Sequence, residues 1–166
     1  AGSFLGSTSP KTITGGTGTS DKIKFTTGGN AIVNADMESV TAIETFEAVG
    51  ATGAFGLTID ELNIADGETL TIDASSLTTG VATIDLSDDT NGKSVVTTGA
   101  AADVVTISAS DLGDNITTGL EADTIKAANA RLTTLDTVSA GGGTDILELT
   151  TDGTTLADAA FTNVTS

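Results

Sequence analysis

Between residues 78 and 145 the chain comes back to one phrase four times. Thr78-Thr79-Gly80, Thr97-Thr98-Gly99, Thr117-Thr118-Gly119 and Ser139-Ala140-Gly141 set their glycines 19, 20 and 22 residues apart. After the last three, an Asp follows four positions later: Asp103, Asp123 and Asp145. Each of these acids opens a short apolar run, Val104-Val105-Thr106-Ile107, Thr124-Ile125 and Ile146-Leu147-Glu148-Leu149, and another short run precedes each glycine. A chain that regains the same phase this regularly, with two strand-like runs per circuit, is most simply an all-β solenoid of the β-roll or parallel β-helix kind, its coils stacked at roughly 4.8 Å. Strand alternation then predicts inward columns holding Val96, Val105, Ile107, Ile116, Ile125, Val138 and Leu147.

Composition agrees with short strands and tight Gly/Thr/Asp corners. The 166 residues include 33 Thr and 20 Gly, and the only aromatics are five Phe. β-branched side chains favour the pleated strand, and glycine supplies the positive φ that turns demand. Helix is expected only near Asn34–Val40 or Asp123–Leu132. The first half is less regular: Thr58-Ile59-Asp60, Thr71-Ile72-Asp73 and Thr83-Ile84-Asp85 recur at intervals of 13 and 12. That spacing reads as the same solenoid with shorter or interrupted coils, and a separate small sandwich is the competing reading.

The end of the chain also repeats its beginning. Residues 13–42 align with residues 138–166 once Ser20 is taken as an insertion. Gly16, Gly18, Thr19, Asp21, Thr26, Val40 and Thr41 recur as Gly141, Gly143, Thr144, Asp145, Thr150, Val164 and Thr165, an offset of about 125 residues. Such internal repetition marks an array. Residues 1–11 are expected to be a flexible or assembly tail, 12–137 one solenoid unit, and 138–166 the start of the next, packed on the same solenoid.

Charge narrows the functional classes. Six basic residues face 23 acids, a formal net charge of −17. Nucleic acid is excluded as a partner, because phosphate binding needs a positive footprint. The acids can instead supply hard oxygen ligands. No run approaches the roughly 20 apolar residues of a membrane span, so no membrane insertion is expected. There is no Cys, His, Trp or Tyr. Thiol, imidazole and zinc-thiolate chemistry are therefore absent, and carboxylate pairs such as Asp60-Glu61 or Asp88-Asp89 lack the aromatic platforms of a sugar-cleaving cleft. The reading is non-enzymatic.

Two turns carry the strongest chemical signal. Ala140-Gly141-Gly142-Gly143-Thr144-Asp145-Ile146-Leu147 fits the glycine-rich pattern G-G-x-G-x-D-x-U-x with Ala at the first position, and Gly15-Gly16-Thr17-Gly18-Thr19-Ser20-Asp21-Lys22-Ile23 fits it with one extra residue. Glycines let backbone carbonyls converge while the Asp adds a carboxylate, an oxygen set suited to Ca²⁺. On these turns, and on Ala42-Ile43-Glu44-Thr45 after the first, the chain resembles the repeats-in-toxin family, and more closely its degenerate versions in bacterial surface-layer proteins and giant adhesins. The resemblance covers residues 13–46 and 95–166. It implies secretion to the bacterial cell surface and Ca²⁺ taken up outside the cell. The candidate metal residues are Gly16, Gly18, Asp21, Gly141, Gly143 and Asp145, followed by Asp103, Asp111, Asp114 and Asp123. Against this, the glycines beside Asp103 and Asp123 are replaced by Ala100-Ala101-Ala102 and Leu120-Glu121-Ala122. The plainer alternative is that these acids cap turns through side-chain to backbone hydrogen bonds.

The expected role is a non-catalytic structural module: part of a surface layer, adhesin stalk or extracellular filament that assembles by stacking. Its partners are itself or neighbouring repeats, with cell-surface polysaccharide as a further contact. The alternative is a ligand-binding solenoid for glycan or ice, suggested by Thr12-Ile13-Thr14, Thr17-Gly18-Thr19 and Thr69-Leu70-Thr71. Those triplets do not recur at coil spacing.

Overall fold

The computed structural model describes residues 12–26, 29–49, 53–128, 131–150 and 164–165. Expectations for the tail at 1–11 and for most of the second copy beyond Thr150 lie outside these residues. The chain is an all-β solenoid of parallel strands. One sheet has seven strands: β2 (Lys22–Phe25), β5 (Thr45–Ala48), β7 (Thr69–Asp73), β9 (Lys93–Thr97), β11 (Asn115–Thr117), β13 (Thr137–Ser139) and β15 (Val164–Thr165). A second sheet has six: β3 (Asn30–Ile32), β6 (Phe55–Asp60), β8 (Ala82–Asp88), β10 (Val104–Thr106), β12 (Thr124–Ala127) and β14 (Ile146–Leu149). Within each sheet a strand pairs with its counterpart one circuit away, so sequence neighbours lie on different sheets.

Register follows the glycine phrases. Val104 pairs with Thr83 and with Thr124, and Thr124 pairs with Ile146, offsets of 21, 20 and 22 residues. The column Ile32, Leu57, Ile84, Val105, Ile125 and Leu147 runs up the inside of one sheet, and Phe46, Ile72, Val96, Ile116 and Val138 up the inside of the other. All are buried except Leu147, which is half-buried on the last coil. The interior is therefore a stack of single apolar layers, each about one strand spacing thick. At the wide end Phe25 lies 6.2 Å from Phe46 and 5.2 Å from Phe55, ring centre to centre, and these rings fill a larger cross-section.

The first half differs from expectation in one respect: its coils are longer, not shorter. Asn30 pairs with Phe55 and Phe55 with Ala82, offsets of 25 and 27 residues. The extra length builds a third face. There β1 (Ile13–Thr14) pairs in parallel with β4 (Val40–Thr41), and a single 3₁₀ turn, Glu61–Asn63, takes the same side in the next coil. Buried Asn63 holds this turn down, its amide donating to the carbonyls of Met37 (2.9 Å) and Val40 (2.8 Å) while its oxygen accepts the Asp60 N–H at 2.8 Å. Beyond β8 the corner Asp89–Gly92 leads straight into β9, and the third face ends. The recurring Thr-Ile-Asp phrases are successive strands on alternate sheets, so their spacing of 12 to 13 residues is half a coil. No separate sandwich forms among the described residues.

Of the two expected helices, one is present as a single turn, α1 (Asn34–Met37). The other, Asp123–Leu132, is strand β12 over its first part. The alternation Thr124-Ile125-Lys126-Ala127, with Ile125 and Ala127 buried, and the parallel partners on both sides override any helical tendency.

The corner glycines have two different reasons. Gly141 adopts φ +80°, as a turn glycine should. Gly99 and Gly119 are not in the left-handed region; a Cβ on either would collide with a backbone carbonyl of the coil beneath, that of Leu77 or of Gly99. A side chain on Gly141 would likewise meet the Gly119 carbonyl. Each glycine in the column lets the next coil close down on it.

Candidate functional site

Strand alternation puts Asp103 on the same side as Val105 and Ile107, facing inward. Asp103 and Asp123 are each 1% exposed, in a column that runs through Phe55 and Ala82 and ends with Asp145. The carboxylates sit at the corner where the coil turns, and backbone N–H groups converge on them. The Asp103 Oδ1 accepts the Ala82 N–H one coil away (2.7 Å), and its Oδ2 accepts the Gly99 N–H of its own turn (3.1 Å). Asp123 repeats both bonds with Asp103 N–H (2.8 Å) and Gly119 N–H (3.1 Å). Asp145 accepts the Asp123 N–H at 3.0 Å. The result is a ladder in which each acid joins its own turn to the preceding coil.

A second ladder occupies the opposite corner. Asp114 accepts the N–H groups of Ser94 (2.9 Å) and Ser108 (3.0 Å), and Asp136 those of Asp114 (2.7 Å) and Thr133 (2.6 Å). One coil earlier, Asp89 takes the N–H groups of Asn91 (3.2 Å) and Gly92 (3.0 Å) on one oxygen. In the wide first coils, Glu44 takes the ladder position and accepts the Asp21 N–H at 2.7 Å.

Burial and donation pull these acids in opposite directions. Burial pushes the Asp103 carboxyl above its ordinary 3.8, and the neighbouring Asp123 charge adds to this, while Thr98 and the N–H groups of Ala82 and Gly99 pull it down. Burial likewise raises Asp114, aided by the Asp136 charge and opposed by Ser108 and the Ser94 N–H. Asp89 is raised for the same first reason, with Glu61 adding repulsion. In all three, desolvation outweighs the hydrogen bonds.

The candidate metal residues therefore fall into separate groups. Asp103 and Asp123 lie in one ladder, Asp114 in the other, and both oxygens of each are engaged by N–H donors. Asp111 is on the outside, 3.2 Å from the Arg131 guanidinium. Of the candidate acids, the two in the glycine-rich turns keep a buried carboxylate oxygen free, as does Asp89 of the second ladder. The buried Oδ2 atoms of Asp21 and Asp145 have no hydrogen-bond partner. The Asp21 carboxylate folds back over Gly15 and Gly18, where a Cβ on either would come within 2.8 Å of its Oδ2. Gly16 (φ +99°) and Gly143 (φ +134°) adopt conformations reserved for glycine. These two turns fit an oxygen-seeking cation in donor type; the engaged acids of the ladders do not. Among the described residues no group of three or more acidic side chains converges on one point.

The second ladder is only partly legible in the sequence, where Asp89 stands beside Asp88 as an acidic pair and Glu44 as part of a phrase. The usable signal was position: Asp114 and Asp136 each immediately precede a strand, as Asp103 and Asp123 do.

An open groove of about 760 Å³ lies between the third face and the seven-stranded sheet, bordered by Lys22, Glu44, Asn63, Glu68 and Thr71. Among the described residues no aromatic ring lines it. No protein-family model, curated protein or solved structure matches the chain. Among the described residues no helix is long and apolar enough to cross a membrane.

Proposed function

We propose that this chain is a non-catalytic structural module, one unit of a stacked array at a bacterial cell surface or in an extracellular filament. One observation carries the reading: the second copy of the opening motif continues the ladders of the first unit in register, with Val138 on Ile116, Leu147 on Ile125 and the Asp145 carboxylate on the Asp123 N–H. A repeat that docks on the body of the preceding unit through main-chain bonds and an apolar column is built for extension. The buried polar groups support the same reading, since their work is to tie coil to coil.

Ca²⁺ uptake belongs to this proposal at two places, the turns Gly16-Gly18-Asp21 and Gly141-Gly143-Asp145. The support is their unpartnered carboxylate oxygen and their glycine backbone. The ion would supply positive charge to a chain of net charge −17. Titration calorimetry on the intact chain and on Asp145→Asn tests this: heat that falls in the variant is expected, and no heat in either, with a melting curve insensitive to chelator, contradicts it. For the structural role, electron microscopy should show ordered, protease-resistant rods. A disordered monomer under every ionic condition would remove the basis of the proposal.

A further inference from the structure

The two copies of the repeat pair alike but occupy different sheets. In the first copy, Ile13 pairs with Val40 and Thr14 with Thr41 on the third face. In the second copy, the aligned residues form the same pairs, Val138 with Val164 and Ser139 with Thr165, but these strands belong to the seven-stranded sheet. The next strand shifts in the same sense. Lys22–Phe25 lies in the seven-stranded sheet, whereas its aligned counterpart Ile146–Leu149 lies in the six-stranded one. The cause is visible in the coil lengths: the third face opens with β1 and has closed by β9, so a new three-faced coil must start on a two-faced one.

Resting on the array reading above, we infer that each unit is turned by one face about the solenoid axis relative to the unit before it. The third face of a following unit grows on the seven-stranded sheet of its predecessor, and its seven-stranded sheet grows on the predecessor's six-stranded sheet. Three units restore the starting orientation, so the array is a slow helix rather than a rod with straight faces. The geometry also specifies the junction. Ile13 of the following unit takes the place of Val138 beside Ile116, and Ile23 that of Leu147 beside Ile125. Asp21 takes the place of Asp145, so its carboxylate receives the Asp123 N–H of the preceding unit. In the single unit Ile13 and Ile23 are only partly buried, whereas Phe46 and Ile72 farther up the Ile23 column are fully covered. The surface charges shift too: Lys126, 3.6 Å from Glu148 within the chain, meets Lys24 at the junction, and Lys24 also faces Glu47 at 3.4 Å.

The test is a two-unit chain in which residues 13–166 follow residue 137. The native sequence has no cysteine, so paired cysteines report register without interference. With Thr124→Cys in the first unit and Lys22→Cys in the second, the proposal expects a disulfide in most chains on mild oxidation, because the aligned Ile146 pairs with Thr124. With Asn115→Cys in place of Thr124→Cys, little should form. Asn115 continues the Lys22, Thr45, Thr71 and Val95 column of the seven-stranded sheet, so it is the partner expected if the faces run straight. Cross-linking through Asn115 and not Thr124 overturns the turn by one face and leaves stacking intact. Cross-linking through neither, in a chain whose first unit keeps its β-sheet signal, overturns this inference and the array reading together.

Discussion

Asp123 stands at an inward strand position, where alternation would ordinarily place an apolar side chain, and it is kept there by what it accepts. Two charged-acceptor hydrogen bonds are worth about 1.5–3 kcal/mol each, against a like-charge repulsion between stacked carboxylates of roughly 0.8 kcal/mol in water and a few times that at an effective dielectric of 20. Asp123→Ala strands the buried N–H groups of Asp103 and Gly119. The expected loss is about 2–4 kcal/mol in urea unfolding, reduced somewhat by removal of a buried charge. Asp111→Ala removes only an exposed ion pair and should cost no more than about 1 kcal/mol. Equal effects in the two variants would deny the ladder its role. The raised carboxyls of Asp89, Asp103 and Asp114 also fix a pH dependence. Above the ordinary value of 3.8 the folded state holds these protons more tightly than the unfolded chain, so the stabilisation is full below that value and is lost as pH rises through the folded values. Glu47 acts oppositely: its hydrogen bond to Lys22 lowers it from 4.5, and its contribution is lost as pH falls. The melting temperature should therefore rise as pH is lowered toward the ordinary carboxylate value of 3.8; a steady fall on the way there would contradict the balance.

Each coil joins its neighbour through parallel strands of three to seven residues from β5 to β14, too short to stand alone, and the corners decide how close the coils come. Gly119→Ala places a methyl group against the Gly99 carbonyl, which cannot rotate away. A loss of about 1–3 kcal/mol or more is expected, with weaker amide protection on both coils. Gly142→Ala, whose Cβ would meet only an ordinary contact at 3.5 Å, should be nearly silent, and melting of both variants side by side checks the difference. These corners were also the legible part of the sequence. The phrase spacing at Gly99, Gly119 and Gly141 gives the coil length, and the alternation around Val105, Ile116 and Ile125 gives the inward columns. The third face was not legible, because β1 and β4 are two residues each and the 3₁₀ turn is held by Asn63 rather than by any periodic pattern. The inward direction of Asp103 and Asp114 was hidden for a related reason. An acid before a strand reads as an exposed turn residue, and only the stacked coil supplies the N–H groups that make burial tolerable.

At the scale of the whole molecule, a narrow apolar interior and two ladders of inward carboxylates hold together a chain in which 23 acids face six bases, almost four to one. Main-chain bonding from coil to coil is what resists that repulsion, and it is also what the second copy of the opening motif extends. The central claim is thus a statement about particular amides: those of Asp103, Asp114 and Asp123 are bonded to the carboxylate of the next coil. Residue-resolved hydrogen exchange on the intact chain measures this directly. These three amides are predicted to be among the slowest to exchange, with Asp103 accelerated selectively by Asp123→Ala; exchange at unfolded-chain rates at all three would contradict the account.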